Sequence, residues 1–298
     1  MKFIDAHHHL WIPDSYTPDL GYRWLRDIGA PKPFGDPTAI QRNYEWPEFA
    51  SESQHSLAGS VYLQVDGAIA DPVAETAWVQ SVFEKTGLRH AIVGLVDLSS
   101  QAADQVLAKQ GDYPMFTGVR QIISRLDAHP SLCFAPEHFL RNARWCDQFQ
   151  LLIEHNLSFD LQLYPEQMGE AADLLARYPE VPVIVDHAGS PYDQTRDGLN
   201  KLLQGFDELA QLDQVSIKLC GFGMFDQQRN AQSISPIVEG VLEKFGADRV
   251  MFGSNFPVDK LMGSYDEVMH AVVDNLQHLS VQQREAVMHD NAVRVYKL

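Results

Sequence analysis

Short, unbroken apolar runs alternate with longer stretches of helical periodicity along most of the chain. The runs cover residues 2–4 (continuing toward 9), 60–65, 91–96, 116–120, 158–163, 181–187, 215–219 and 249–253. They are rich in Val, Ile and Phe, which favour strands. Apolar residues at successive positions mean burial on both faces, the mark of a parallel sheet wrapped by helices. Helical patterns are predicted over 73–85, 99–109, 136–155, 165–178, 198–212, 233–245, 264–278 and 281–295. Eight such units fit a distorted (β/α)8 TIM-type barrel, read as one domain over residues 1–298. A doubly wound sheet would call for a glycine-rich phosphate turn after the first strand, and none is there. Gly221-Phe222-Gly223 is too short to serve as one.

Two stretches break the alternation. Residues 12–56, after the first strand, carry Pro13, Pro18, Pro31, Pro33, Pro37 and Pro47 together with Tyr16, Tyr22, Trp24, Phe34, Tyr44, Trp46 and Phe49. A solvated linker would not hold so many rings, so this loop is expected to be a lid or pocket wall. The second irregular stretch follows Arg120.

Composition narrows the partners. Of 298 residues 45% are hydrophobic and 21% charged, and 23 Lys plus Arg against 40 Asp plus Glu give a net charge of −17. Such a surface repels phosphate backbones and anionic lipid, which argues against nucleic acid and membrane as partners. Cys133, Cys146 and Cys220 are scattered and contain no CxxC pair, against a disulfide framework or zinc knuckle. No leader pattern opens the chain and no apolar stretch approaches ~20 residues, so a reduced, cytoplasmic protein is expected, as a monomer or homodimer.

Candidate chemistry gathers where the predicted strands end, which in this fold is where sites form. Asp5, His7 and His9 share one face of an extended strand, with the two imidazoles about 7 Å apart and His8 turned away. Two neutral imidazoles converging from a strand end can grip a divalent ion. Strand two ends in Gln64 and Asp66, strand four in Arg120 and Gln121, and strand five in Gln162 and Tyr164. Strand six ends in Asp186 and His187, strand seven carries Lys218, and strand eight ends in Ser254-Asn255-Phe256-Pro257 with Asp259 beyond. Polar residues ending seven apolar runs are hard to explain by packing, because unpaired buried polar groups cost about 1–3 kcal/mol each. Arg125, Arg141 and Arg144 are expected to be solvated or helix-surface charges. No GxSxG, HExxH or P-loop pattern is present, against serine hydrolase, zincin and NTPase chemistry.

His7-x-His9, Gly118-Val119-Arg120, Asp186-His187-Ala188-Gly189 and Gly253-Ser254-Asn255-Phe256-Pro257 occur in an order and spacing that resemble the amidohydrolase-related family. Within it they are most similar to the branch of sugar-lactone hydrolases and 2-pyrone-4,6-dicarboxylate lactonase. The resemblance implies that His7, His9 and His187 bind one divalent ion, Zn or Mn, or polarise the substrate carbonyl without a metal. It implies that Arg120 holds a carboxylate or the lactone oxygens through its planar fork. The family's water-activating Asp at strand eight aligns with Asn255, which as an amide cannot act as a base. The base then passes to Asp259 or Asp186, the reaction differs, or activity is lost. Gln64, Gln162, Tyr164, Lys218 and Trp11 complete the expected substrate-binding set, and the expected catalytic set is His187, Asp259, Asp186 and Asn255. The implied reaction is hydrolysis of a small cyclic ester, a sugar-acid lactone or pyrone carboxylate, by water attack on the ring carbonyl. Its rivals are a metal-dependent decarboxylase of an aromatic acid and a non-catalytic ligand-binding homologue.

Overall fold

Eight parallel strands, formed by the apolar runs, pair in sequence order into one sheet. They are β1 (Lys2–His8), β2 (Ser56–Leu63), β3 (Arg89–Gly94), β4 (Phe116–Arg120), β5 (Ser158–Leu161), β6 (Val183–Val185), β7 (Val215–Leu219) and β8 (Val250–Phe252). This computed structural model describes every residue except 1, 15–19, 31, 68, 227 and 229. Tyr16, Pro18 and Pro31 of the aromatic loop therefore lie outside the described residues. The sheet curls into a nearly closed barrel, joined where β1 meets the segment after β8 by a parallel bridge between His8 and Phe256. There the His9 N–H donates to Phe256 O at 2.8 Å and the Asn255 N–H to His7 O at 2.7 Å. These two bonds seal the barrel beside His7, His9 and Asn255.

Helices with sequence-encoded starts pack around the sheet. The Asp71 side chain accepts from the N–H groups of Val73 and Ala74 to start Pro72–Phe83. Thr195, Asn230 and Ser264 cap Arg196–Ala210, Ala231–Phe245 and Tyr265–Asn275 in the same way, each satisfying amides with no partner inside the helix. Three predicted helices are broken. Residues 136–155 split into a 3-10 turn and the helices Ala143–Gln148 and Gln150–Glu154, because Asn142 turns inward to cap the first of these. Residues 165–178 open with a 3-10 turn before Met168–Leu175. Residues 281–295 are interrupted by a π turn at Ala286–Asp290.

Inside the barrel, Ile4, Ala6, Val61, Leu63, Ala91 and Val93 pack with Tyr296, a ring from the C-terminal helix that plugs the far end. Between sheet and helices lies a larger apolar layer that takes in the β1 loop, where Trp11, Tyr22, Tyr44 and Phe49 are buried. Among the described residues no helix is long and apolar enough to cross a membrane. All three cysteines are free, as their scatter predicts.

Candidate active site

The last turn of β1 is shaped by a bulge. The pairing with β2 slips between Asp5 and His8, so that Ala6 joins the barrel interior, His7 and His9 point into its upper end, and His8 points out. Asp5, expected on the histidine face, is displaced from it by this extra residue. Its carboxylate instead accepts from the His7 and Ser254 N–H groups at 3.0 and 2.9 Å and from the Tyr265 hydroxyl at 2.8 Å. It braces the backbone on either side of the barrel seam.

His7, His9 and His187 converge. Ring centroids lie 5.2 Å apart for His7 and His9 and 4.6 Å for His7 and His187. His7 Nδ1 meets an Asp186 oxygen at 3.1 Å, and His9 Nδ1 meets Leu63 O at 2.8 Å. Leu63 O accepts only, so His9 Nδ1 carries the proton and Nε2 keeps its lone pair; at His7 the shorter contact to the acceptor Asp186 favours the same tautomer, with the Lys218 ammonium 3.5 Å from that nitrogen. His7 Nε2 is buried with no hydrogen-bond partner among the described residues. An orphaned imidazole nitrogen in a cluster of three histidines is a good fit for a divalent cation, and a carboxylate on the other ring nitrogen is the usual support of such a ligand. His187, His7 and Cys220 have ligand atoms within 4.8 Å of one another. His187 Nδ1, however, sits 3.4 Å from the Cys220 sulfur.

Burial lowers all three imidazoles below their ordinary pKa. For His7 the nearby Lys218 adds to this while Asp186 opposes it. His9 is lowered to about 3 by burial and Arg120, and His187 to about 4 by burial against the pull of Asp186. Neutral imidazoles are the form that can coordinate a cation.

The backbone is bent to deliver these side chains. His187, Ala188, Gly189 and Ser190 all have positive φ, a left-handed turn directly after β6, and Asn255 has φ 57°. Non-glycine residues in this region are strained by about 1–3 kcal/mol each. Two glycines make the approach feasible: a Cβ at Gly221 would lie 2.3 Å from His187 Nδ1, and one at Gly253 would lie 2.6 Å from the Cβ of His7.

Beneath the histidines lies a buried charge network. Lys218 pairs with Asp160 and, at 3.1 Å, with Asp186. Tyr296 donates to Asp160 at 2.7 Å, and the Lys218 ammonium lies 5.3 Å from the Tyr296 ring centre. Burial would raise Asp186, but Lys218 and His7 outweigh it and hold the carboxyl well below its usual range. Asp160 is raised by burial, with Lys218 opposing. Lys218, expected among the substrate-binding groups, is fully buried one layer below the pocket, because two carboxylates draw its ammonium downward. Asp160 and Tyr296 were not anticipated as its partners. A charged residue inside the apolar run Phe159-Asp160-Leu161 was the signal for the first.

Above the histidines opens a cavity of about 660 Å³, lined at its inner end by His9, His187, Arg120, Gln162, Asn255 and Trp11. Arg120 donates to Gln64 O, to Gln162 Oε1 at 3.3 Å, and lies 3.6 Å from Asp186. Trp11 spends its indole N–H on Ile40 O at 3.2 Å and offers the cavity a ring face, 6.2 Å from the His9 ring. The Asn255 NH2 group donates to Asp259 Oδ1 at 3.0 Å. A carboxylate only accepts, so the amide oxygen is the end left for the cavity. Asp259 also accepts from the Gly223 N–H at 3.4 Å and stands behind Asn255, off the cavity wall.

Gln64 and Tyr164, expected to reach substrate, do not line the cavity. Gln64 serves Arg120 through its backbone carbonyl, and Tyr164 packs edge-on against Tyr192 with ring centres 5.2 Å apart. Arg125, expected to be solvated, is half-buried in the cavity wall. It holds Ala135 O at 2.9 Å and Pro136 O at 3.1 Å, fastening the loop after β4. Arg141 and Arg144 are exposed, as expected.

Comparison with known proteins follows this geometry. Protein y4mH of Sinorhizobium fredii is 36% identical over the whole of this chain and 99% of its own. The L-fucono-1,5-lactonase of Burkholderia multivorans is 28% identical over 99% of this chain and 96% of its own. A solved amidohydrolase from Burkholderia multivorans with bound HEPES superposes over both full chains with a TM-score of 0.80 at 25% identity. A second crystal form of it, with bound zinc, gives 0.78 at 24%. The family model described as amidohydrolase matches residues 4–298, and the chain belongs to that family.

Proposed function

We propose that this amidohydrolase opens a lactone ring by water attack on its carbonyl. The observation that carries the reading is the orphaned Nε2 of His7, in a ring packed against His9 and His187 beside a cavity that offers Arg120, Gln162 and Asn255. A lactonase relative that this chain covers almost completely, and a zinc-bound fold relative, support it.

His7, His9 and His187 are the residues that would hold one divalent ion, Zn or Mn. Such an ion polarises a carbonyl and acidifies water. Asp186 and the Leu63 carbonyl fix the tautomers that keep two of these lone pairs available. Arg120 and Gln162 hold the polar end of the substrate and stabilise charge on the carbonyl oxygen as it becomes tetrahedral. Asn255 accepts a hydrogen bond from the attacking water and orients it, while Asp259 locks the amide in that sense. Of the two carboxylates expected to take the proton, Asp186 is committed to His7, Lys218 and Arg120 and is held strongly acidic, which makes it a poor acceptor. Asp259 stands behind Asn255 and off the cavity wall, so it holds the amide and does not meet the water. The ring C–O bond then breaks and the proton passes to the leaving oxygen, giving a hydroxy acid.

A proton-release assay over sugar-acid lactones and pyrone carboxylates, with Zn²⁺ or Mn²⁺ added to the chelator-treated protein, tests this. Acid release from at least one class is expected; release from none would sink the reading. Decarboxylation of a hydroxybenzoate, followed as CO2, is the outcome that would replace it.

A further inference from the structure

The cavity is much larger than its chemical end requires. Besides the strand-end groups its wall includes Lys32, Asp66, Asp97, Gln121 and Arg125, and a broad apolar part is formed by Trp24, Phe34, Phe134, Phe139, Met224 and Val258. Trp24 and Phe34 come from the loop after β1, Phe134 and Phe139 from the loop after β4, so both irregular stretches of the sequence contribute rings to one vestibule. About 660 Å³ is the room of a drug-sized ligand, far beyond a bare six-carbon lactone. Most polar groups beside these rings have partners: Asp97 accepts from the Gln121 amide at 2.9 Å and Asp66 from the Trp24 N–H at 3.4 Å. Arg125 holds two carbonyls of its own loop and pairs with Asp127 at 2.8 Å, and the Lys32 ammonium lies over the Trp24 ring, 5.8 Å from its centre. The Trp24 indole N–H is likewise spent, on Val65 O at 3.2 Å. Sugar hydroxyls placed against these rings would lose water and meet carbon.

We infer that the substrate is a lactone bearing an apolar, preferably aromatic, substituent, with the ring ester at the histidines and the substituent between the two loops. This rests on the lactone reading above and deepens it. Nothing in the reaction changes: water adds to the carbonyl carbon, the ring C–O bond breaks, and the product is a hydroxy acid carrying the same substituent. The vestibule supplies binding through removal of apolar surface from water, and discrimination through the hydroxyl groups it cannot satisfy.

Two measurements separate this inference from the reading beneath it. Proton release is followed for δ-valerolactone, its phenyl-substituted derivative and a sugar-acid 1,5-lactone. The phenyl derivative is expected to exceed the unsubstituted ring in kcat/KM by about tenfold or more; a sugar lactone that outruns it overturns the inference. Independently of turnover, quenching of tryptophan fluorescence reads the affinity of the matching non-hydrolysable lactams. The phenyl lactam is expected to bind about tenfold or more tightly than the bare lactam, and Phe134→Ala to remove most of that ratio. Equal affinity for the two lactams overturns the inference even where lactones are opened. Tight phenyl-lactam binding with no lactone opened upholds the vestibule and discards the hydrolysis.

Discussion

His7 and His8 are neighbours in one strand, both fully buried, both lowered well below the ordinary imidazole pKa by burial, and both with one ring nitrogen lacking a partner. They face opposite sides of the barrel wall. His8 points outward, stacks on Phe49 with ring centres 4.0 Å apart, and opens a hydrogen-bonded chain: Ser60 Oγ at 2.8 Å, then His90 at 2.9 Å, then Thr86 at 2.7 Å. That chain ends in a helix terminus and reaches no cavity. His7 has a carboxylate on one nitrogen, and its ring packs against two further imidazoles with centroids 5.2 and 4.6 Å away. Burial and a displaced pKa are thus shared by His8 and by His7, the candidate ligand. What separates them is convergence of lone pairs beside open space.

The largest effect expected along this contrast comes from the two alanine variants. His7→Ala removes the central lone pair and is expected to lower kcat/KM for the opened lactone by about 10²- to 10³-fold and to reduce bound zinc, read by metal analysis. His8→Ala is expected to cost stability, about 2 kcal/mol in urea unfolding, while the folded protein takes up a divalent ion as the parent does. Equal metal loss in both variants would erase the distinction. Lys218→Met tests the layer below: it leaves Asp160 and Asp186 buried without their cation and is expected to destabilise by about 3–5 kcal/mol, measured by urea denaturation. Asp186→Asn keeps the shape but weakens the support of His7, with metal affinity expected to fall about 10- to 100-fold in a competition titration against a chelator.

The smallest expected effect sharpens what burial alone does. Glu75 on the helix Pro72–Phe83 accepts from the Tyr62 hydroxyl at 2.8 Å, yet burial raises it to about 7. Its folded pKa lies above the unfolded value, so the folded state holds the proton more tightly, and the stability it adds below about pH 4.5 is lost as pH rises toward 7. Glu75→Gln cannot titrate. Its Tm relative to the parent is therefore expected to improve between about pH 5 and pH 8, by calorimetry; a difference constant with pH would contradict the assignment.

The strands and most helices were legible in the chain because each depends on local pattern: apolar runs of five or six residues, and capping residues such as Asp71 and Ser264 just ahead of a helix. His7, His9, Arg120, His187 and Asn255 stood out as candidates for the same reason, since a polar side chain ending an apolar run is itself a local anomaly. The errors share one cause. Asp5 was placed on the histidine face by strict alternation, and a single bulged residue reversed it. Lys218 and Tyr164 were assigned to substrate from their position at strand ends, while their partners lie far away in sequence: Asp160 and Asp186 for the lysine, Tyr192 for the ring.

By itself, then, the sequence determined the barrel, the strand-end chemistry and the presence of two ring-rich loops, because hydrophobic period and chain order act over a few residues. Tertiary structure alone decided which nitrogen of each imidazole is left over, which carboxylate is already paired, and that both loops wall the same cavity. Those outcomes depend on distances between groups up to 260 residues apart, and a register slip of one residue is enough to change them.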